Sequence, residues 1–206
     1  KNRFIGGAAI VASHARAFGS EVDFYSVCGK DKKADWLIEQ LEHKGINCYL
    51  VNDETRPTTV KRRYRSSNKT LLRVNEFRSH ALSERAQSQL MAYVEQNIPD
   101  YDLVIFSDFS YGLLTLDTVK KLTQLAQQYN VPMVADSQTS SQKGDLNKFH
   151  NMHLVTPTEL EARQATNILD NSVGLAKVVD ELTVGLRPDN IIMTLAEAGA
   201  LIASHT

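Results

Sequence analysis

The sequence predicts an α/β fold built around a mostly parallel sheet, and three observations lead to that prediction. From residue 83 onwards, short apolar runs alternate with helical segments of about 10 to 15 residues, as in βαβ units. The first 45 residues show the same alternation. Between residues 46 and 77, short extended runs follow one another without a helix, which predicts a small antiparallel sheet inserted early in the chain.

The composition favours a single domain with one core. The chain has 206 residues, of which 42% are hydrophobic, and a net charge of −1, so nothing indicates a nucleic-acid-binding protein. No apolar run reaches the roughly 18 residues that a membrane span needs, and no signal-peptide pattern is visible. Two cysteines, Cys28 and Cys48, fit a reduced cytoplasmic protein better than a disulfide framework.

The chain opens with two adjacent glycines, Gly6 and Gly7, directly before a predicted helix. Apolar side chains recur at helical spacing along that helix: Ala8, Val11, Ala12, Ala15 and Phe18. Paired glycines at a helix start indicate that something approaches the backbone closely. A ligand and a neighbouring strand are both consistent with this pattern.

The next elements lead into the insertion. Residues 21–28 predict a strand, and residues 34–45 a helix that ends at Gly45. The extended runs "CYLV", "TTVKRRYR" and "TLLRVNEF" are separated by the turn segments "NDETRP" and "SSN".

The second half of the chain predicts the remaining βαβ units. Helices are expected around residues 86–94, after Thr115, from Thr158 and over residues 176–185; strands are expected at residues 102–108, 131–136, 152–157 and 190–195, with a further one beginning in 198–204.

Acidic residues lie where two predicted strands end. Ligands of parallel α/β sheets bind at the carboxyl ends of strands, which selects Asp108, Asp136 and the segment "TPTE". Both aspartates could equally serve as helix caps or turn formers. Thr158 and Glu161 have the spacing of a capping box. Glu161 could also hold a metal-bound water beside a nucleotide phosphate, and nothing local separates these interpretations.

A basic cluster lies in the inserted segment and comprises Lys61, Arg62, Arg63, Arg65 and Arg73. Strand alternation places Lys61, Arg63 and Arg65 on one face and Arg62 on the other. A charged edge strand protected against aggregation explains the cluster, and so does an anion site, because arginine forks match phosphate. Composition alone favours the first explanation.

Several motifs of other enzyme classes are missing from the chain. There is no Walker A motif, no G-x-G-x-x-G, no G-x-S-x-G and no pair of histidines with metalloprotease spacing. Hydrolase and metalloprotease functions are therefore not favoured.

The order of these pieces resembles the ribokinase-like (PfkB) sugar kinases, and within them the kinase domain of the D-glycero-D-manno-heptose 7-phosphate kinases of lipopolysaccharide biosynthesis. The resemblance rests on "GGAAIVASHARAFG", "GKD", "PTTVKRRYR" with "LLRV", "SDFSYG", "VADSQ" and "LVTPTELEA". It implies a three-layer αβα fold over residues 1–206, an incomplete single kinase domain with residues 46–77 as a β lid. It also implies ATP and Mg²⁺ as cofactors, and a homodimer formed through the lid.

The resemblance also implies roles for individual residues. Gly6, Gly7 and Asp108 would lie at the sugar, and Lys61, Arg63 and Arg73 would hold a phosphate that the sugar already carries. The nucleotide and Mg²⁺-phosphate region would comprise Asp136, Thr158, Glu161 and Thr194, with Glu161 acting on the metal through water. The role that the resemblance implies for Lys61, Arg63 and Arg73 makes an anion site the favoured explanation of the basic cluster.

The chain departs from the family pattern at several places. Ile10 replaces an asparagine, Thr158 replaces the asparagine of N-x-x-E, and Gln138 stands where a lysine is expected. The G-A-G-D segment with the catalytic aspartate is not in the chain, so no catalytic residue is assigned and little turnover is expected from these residues alone. The alternatives are a PfkB kinase for another sugar or a nucleoside, and a non-catalytic sugar-phosphate-binding fragment.

Overall fold

The computed structural model describes residues 2–67, 69–139 and 141–204. Asn68, in the predicted turn "SSN", lies outside the described residues, as do the two ends of the predicted domain 1–206. The chain forms two compact units. The first comprises residues 1–94 and 111–113, and the second comprises residues 95–110 and 114–206.

The first unit holds a parallel strand pair and an antiparallel hairpin. Its elements are α1 (Ala8–Ala17), β1 (Asp23–Cys28), α2 (Lys32–Glu42), β2 (Asn47–Asn52), β3 (Val60–Ser66), β4 (Lys69–Glu76) and most of α3 (Glu84–Asn97). β1 and β2 are parallel, with Tyr25 opposite Tyr49. One cluster of its core contains Phe24, Leu41 and Ile46 with residues of α1, and another contains Val51 with Leu82, Ala86 and Leu90.

The expectation that residues 46–77 form one antiparallel sheet is wrong for its first strand. β2 pairs with β1 in parallel, and only β3 and β4 are antiparallel. The physical reason is that the α2 crossover between β1 and β2 returns the chain in the same direction, and Val51 is fully buried in the core of the unit. We use "lid" below for the β3–β4 hairpin, Val60–Glu76.

The second unit holds one mixed sheet with the strand order β5-β6-β7-β8-β9. Its strands are β5 (Val104–Asp108), β6 (Met133–Ser137), β7 (Leu154–Val155), β8 (Asn190–Thr194) and β9 (Ala200–Ser204). Its helices are α4 (Leu116–Gln128), α5 (Glu159–Thr166) and α6 (Leu175–Leu186), with short 3-10 turns at Ile98–Asp100, Leu146–Lys148 and Ala196–Ala198. The first four strands are parallel and β9 is antiparallel to β8. The predicted mostly parallel α/β fold is confirmed.

Two helix starts of this unit, those of α4 and α5, follow the predicted caps. The Thr115 side chain caps α4 by accepting from the Thr118 N–H, and Thr158 and Glu161 form a complete capping box at α5. Both caps satisfy backbone N–H groups that a helix leaves unpaired. They fix where α4 and α5 begin relative to the strand ends that precede them.

One face of the sheet is buried more deeply than the other. Along β5 and β6 the buried side chains are Phe106, Asp108, Met133, Ala135 and Ser137. The side chains between them along both strands are at least partly exposed, and Ile105 is 45% exposed. Strand alternation therefore places Asp108 on the deeply buried face and Asp136 on the other.

Across the described residues, no helix is long and apolar enough to cross a membrane.

Candidate functional site

The two glycines at the start of α1 differ in what they require. Gly7 is the N-cap of the helix and has φ 56° and ψ −140°, a conformation that only glycine adopts without strain. Gly6 has no such angle, and a Cβ added there would meet no atom of the described residues within 4 Å. Within the described chain, neither close packing nor backbone conformation accounts for glycine at position 6.

The lid separates its side chains into a basic face and an apolar face. The strands pair with Arg63 directly opposite Arg73 and with Lys61 opposite Asn75. Alternation places Lys61, Arg63 and Arg73 on the same face, which we call the basic face. Like charges directly opposite each other destabilise an antiparallel pair. The hairpin therefore carries an unfavourable arrangement that a bound anion would relieve.

The other side of the lid carries apolar side chains in solvent. Tyr64, Leu72 and Val74 alternate with the basic residues and remain 53%, 54% and 38% exposed. We call these three residues the apolar face. Arg62, on this side, forms an ion pair with Glu76 at 3.3 Å, and Lys33 of α2 reaches the same carboxylate at 2.9 Å.

A buried ion pair lies at the base of the lid, and sequence reasoning missed it. Arg56 and Asp53 are 7% and 1% exposed, and Arg56 Nε lies 3.1 Å from Asp53 Oδ2. Burial would raise the pKa of Asp53, but donors from Thr55 and Ser83 and the Arg56 charge outweigh it and lower that pKa to about 2. The spacing D-x-x-R before the lid is the only signal in the sequence, and it is weak.

The "GKD" segment contacts the residues that lead into the lid. Asp31 caps α2 by accepting from the N–H groups of Lys33 and Ala34 with Oδ1, while its Oδ2 accepts from the Thr58 N–H. A Cβ on Gly29 would lie 2.6 Å from the Arg56 carbonyl oxygen. This aspartate and this glycine therefore hold the segment that enters the lid.

In the second unit, Asp108 is a buried and fully engaged carboxylate. It is 3% exposed and accepts from the Ser110 N–H, the hydroxyls of Ser110 and Ser137, and Lys148 Nζ at 2.6 Å. Lys148 also donates to the Leu114 carbonyl oxygen. These bonds favour a role in shaping the loop after β5; the predicted contact of Asp108 with a sugar stays a prediction.

Asp136 lies on the opposite face, at the end of β6, and is held by two side-chain donors. It accepts from Gln138 Nε2 at 2.9 Å and from the Thr156 hydroxyl at 3.4 Å. Burial raises the pKa of Asp136, and the carboxylates of Glu161 and Asp108 add to that shift. Gln138, which stands where the family pattern has a lysine, thus contacts this aspartate without neutralising it.

Thr158, Glu161 and Thr194 meet next to this aspartate. Glu161 Oε2 accepts from the Thr158 N–H and hydroxyl, and Oε1 accepts from the Thr139 N–H. Thr158 forms an isolated parallel bridge with Thr194. The structure therefore brings together, at the carboxyl edge of the sheet, the four residues predicted for the nucleotide region: Asp136, Thr158, Glu161 and Thr194.

The donor set of this edge limits how it could hold a metal. Residues 2–67, 69–139 and 141–204 contain no group of three or more His, Cys, Asp or Glu side chains that could hold an ion. The oxygens of Glu161 already accept three hydrogen bonds, so this carboxylate fits contact with a metal through water better than direct ligation.

Comparison with known proteins gives the family. Residues 2–206 match the pfkB family of carbohydrate kinases. The chain belongs to this family. A pfkB relative from a Nitratiruptor species, named "Bifunctional protein HldE", is 34% identical over 200 residues, which are 96% of this chain and 41% of that protein. The "D-beta-D-heptose 7-phosphate kinase" of Bordetella bronchiseptica is 30% identical over 196 residues, 95% of this chain and 60% of that protein.

Solved pfkB structures support the fold. Phosphofructokinase-2 from Escherichia coli in its tetrameric inhibited form aligns with a TM-score of 0.74 at 18% identity, over 97% of this chain and 64% of that one. A PfkB protein from a Polaromonas species aligns with a TM-score of 0.68 at 15% identity, over 100% of this chain and 74% of that one. The chain spans about two fifths to three fifths of the length of the two curated relatives.

Proposed function

We propose that this chain is part of an ATP-dependent kinase that transfers the γ-phosphate of ATP to a hydroxyl of a phosphorylated sugar, as a heptose 7-phosphate kinase does. The observation that carries the proposal is the cross-strand pair of Arg63 and Arg73 on the basic face of the lid. Membership of the pfkB family supports sugar kinase chemistry, and the basic face supports a substrate that already carries a phosphate.

The phosphate of the sugar is the group that the basic face would bind. Arginine presents a planar fork of donors that matches a phosphate, and two such forks with one lysine offset its charge. Kinases of unphosphorylated sugars or nucleosides share the fold without needing these charges. The name of the Bordetella bronchiseptica relative, a heptose 7-phosphate kinase, supports the same substrate class.

The sugar itself would approach the start of α1. Position 6 has open space above its Cα, and the N–H groups at a helix start are unpaired donors that suit a hydroxyl or an anion. Glycine at position 6 lets a ligand lie against the backbone itself. Gly7 turns the chain into the helix at that point.

The carboxyl edge of the second unit would serve the nucleotide. Mg²⁺ and ATP supply the transferable phosphoryl group and offset its charge when bound. Glu161 would contact the metal through water, and Thr158 and Thr194 would line the phosphates. Asp136 would contribute negative charge beside the metal. The 206 residues contain no G-A-G-D segment, so we assign no proton acceptor among them.

The apolar face of the lid would pair with a second copy of the chain. Three partly exposed apolar side chains on one hairpin face form the kind of patch that an interface covers.

We place the protein in the cytoplasm, where ATP and phosphorylated sugars are available and where free thiols such as Cys28 and Cys48 stay reduced.

The test is a comparison of ligands between lid variants. Arg63→Ala and Arg73→Ala should each weaken binding of a heptose 7-phosphate by about ten- to hundredfold, since hydrogen bonds to charged groups contribute roughly 1.5–3 kcal/mol, and should leave binding of the unphosphorylated heptose unchanged. Arg62→Ala removes the same charge from the opposite face and is the matched control. Equal affinity of the wild type and both variants for the phosphorylated sugar would favour a kinase of another sugar or a nucleoside.

A further inference from the structure

Arg56 binds three separate segments of the first unit through one side chain. Its Nε donates to Asp53, one terminal nitrogen donates to the Tyr111 carbonyl oxygen at 2.9 Å, and the other donates to the carbonyl oxygens of His80 and Ala81 at 2.8 and 3.0 Å. The guanidinium is buried, and its charge is balanced by Asp53. Arg56 is therefore not itself available to an anion.

The bonded segments are the two ends of the lid and one loop. Residues 53–58 lead into β3, residues 78–83 follow β4, and residues 111–113 form the loop. Gly112 shows how closely they meet, because a Cβ there would overlap the His80 carbonyl oxygen, and its φ is +82°. One guanidinium thus fixes the segments on both sides of the hairpin, before β3 and after β4.

The loop connects this junction to the basic face. The Tyr111 ring lies 4.6 Å from the ring of Phe77, the residue that directly follows β4. Lys61 Nζ lies over the same Tyr111 ring, 5.3 Å from its centroid, within the range of a cation–π contact. The chain of contacts runs from Arg56 to the Tyr111 backbone, and from the Tyr111 ring to Lys61.

We propose that Arg56 is a positioning residue of the phosphate site, which holds Tyr111 and both ends of the lid so that Lys61 is aligned with Arg63 and Arg73. This inference rests on the proposed function, because it assigns a positioning residue to the same anion site. Lysine at position 56 keeps the charge but offers no planar fork for three segments at once. The lid would then lose its fixed position while its own basic residues remain.

The experiment is an NMR titration of the 206-residue chain with inorganic phosphate, followed at the lid amides, for the wild type, Arg56→Lys and Arg163→Lys. Arg163 is the matched control, since it is 5% exposed, pairs with Glu159, and donates to the carbonyl oxygens of Asp170 and Val173. Arg56→Lys should weaken phosphate binding about five- to tenfold, a coupling typical of residues in one network. Arg163→Lys should lower the melting temperature about as much as Arg56→Lys does, but it should change phosphate affinity by less than about twofold.

A double-mutant cycle with Lys61→Met separates positioning from general loosening. If Arg56 acts through Lys61, Arg56→Lys should cost less than about twofold in the Lys61→Met background. A folded Arg56→Lys variant that binds phosphate like the wild type, or a loss of equal size in both backgrounds, overturns the proposal. If Arg56→Lys does not fold, Tyr111→Leu keeps the carbonyl acceptor and removes the ring. It should weaken phosphate binding, and unchanged affinity would overturn the route through Tyr111.

Failure of the proposed function gives a different result. In that case Lys61→Met, Arg63→Ala and Arg73→Ala would all bind phosphate as the wild type does, whatever Arg56 does. If those three variants weaken binding and the Arg56 variant does not, the anion site stands and only the positioning role is overturned.

Discussion

Arg63 and Arg73 lie directly opposite each other across the lid, in the register that also pairs Lys61 with Asn75. Charged side chains protect the edge of a sheet, but protection does not require two cations directly opposite each other, which destabilise the strand pair. The pair raises the free energy of the empty hairpin, and under the proposed function an anion between the guanidinium groups would lower it. The proposal therefore implies that stability and anion binding are coupled at this pair.

Arg73→Thr should have opposite effects on the empty and the bound protein. Without an anion it should stabilise the lid by a few tenths of a kcal/mol, because the like-charge pair is gone and threonine suits a strand. With millimolar phosphate present the wild type should gain stability and the variant should not. Thermal melts in buffers without and with phosphate measure both effects; equal stabilisation of both proteins by phosphate would count against the pair as an anion site.

Gly6→Ala and Gly112→Ala should separate a ligand-facing glycine from a structural one. The Gly6 variant should melt like the wild type, since a Cβ meets no described atom, and should bind sugar more weakly because the methyl group occupies the approach to the backbone. The Gly112 variant combines a positive φ with a backbone overlap and should be strongly destabilised. Gly174→Ala, at a second glycine with open space, changes the N-cap of α6, where alanine is disfavoured; it should lower stability slightly without weakening sugar binding.

The Asp108–Lys148 pair should behave as a buried ion pair. Their side chains are 3% and 10% exposed, so Lys148→Met leaves a buried carboxylate without its cation and should cost about 3–5 kcal/mol in unfolding free energy. Lys121→Met, which breaks the exposed pair with Asp117, should cost less than about 1 kcal/mol. Urea unfolding of both variants gives the comparison; similar small losses would mean that Lys148 does not hold the loop after β5.

The pH dependence of stability should expose Asp136. Because its pKa is raised in the folded protein, the unfolded chain ionises first, and the wild type loses stability as pH rises through the folded pKa. Asp136→Asn does not ionise, so its stability relative to the wild type should rise as the pH increases through that range. Asp170 has a lowered pKa because it accepts hydrogen bonds from Ser172, and Asp170→Asn should show the opposite trend. A pH-independent difference for Asp136→Asn would contradict the burial argument.

Local patterns in the sequence predict most of the fold. Thr115, Thr158 and Glu161 carry their caps within three residues, so their roles are legible from the sequence alone. The parallel pairing of β2 with β1 could not be predicted from local patterns, because the direction of strand pairing depends on the course of the whole chain. Alternation predicted which basic residues of β3 share a face, but not that Arg63 lies opposite Arg73, because the register of the lid shifts between Tyr64 and Arg65.

The site is less predictable because its organising contacts are long-range. Lys148 meets Asp108 at a separation of 40 residues in the chain, and Arg56 meets Tyr111 at a separation of 55 residues. No local spacing encodes either contact. The family resemblance selected residues that would touch ligands, Asp108 among them, but it did not select the buried charged partners Arg56, Asp53 and Lys148.

The most direct measurement of the central claim compares the affinity of the purified 206-residue chain for a heptose 7-phosphate with its affinity for the same heptose without the phosphate. Calorimetry of the wild type and of the Arg63→Ala/Arg73→Ala double variant gives both values. We predict that the wild type prefers the phosphorylated sugar and that the double variant loses this preference. A wild type that binds both sugars equally, or a double variant that keeps the preference, would contradict the phosphate site on the lid.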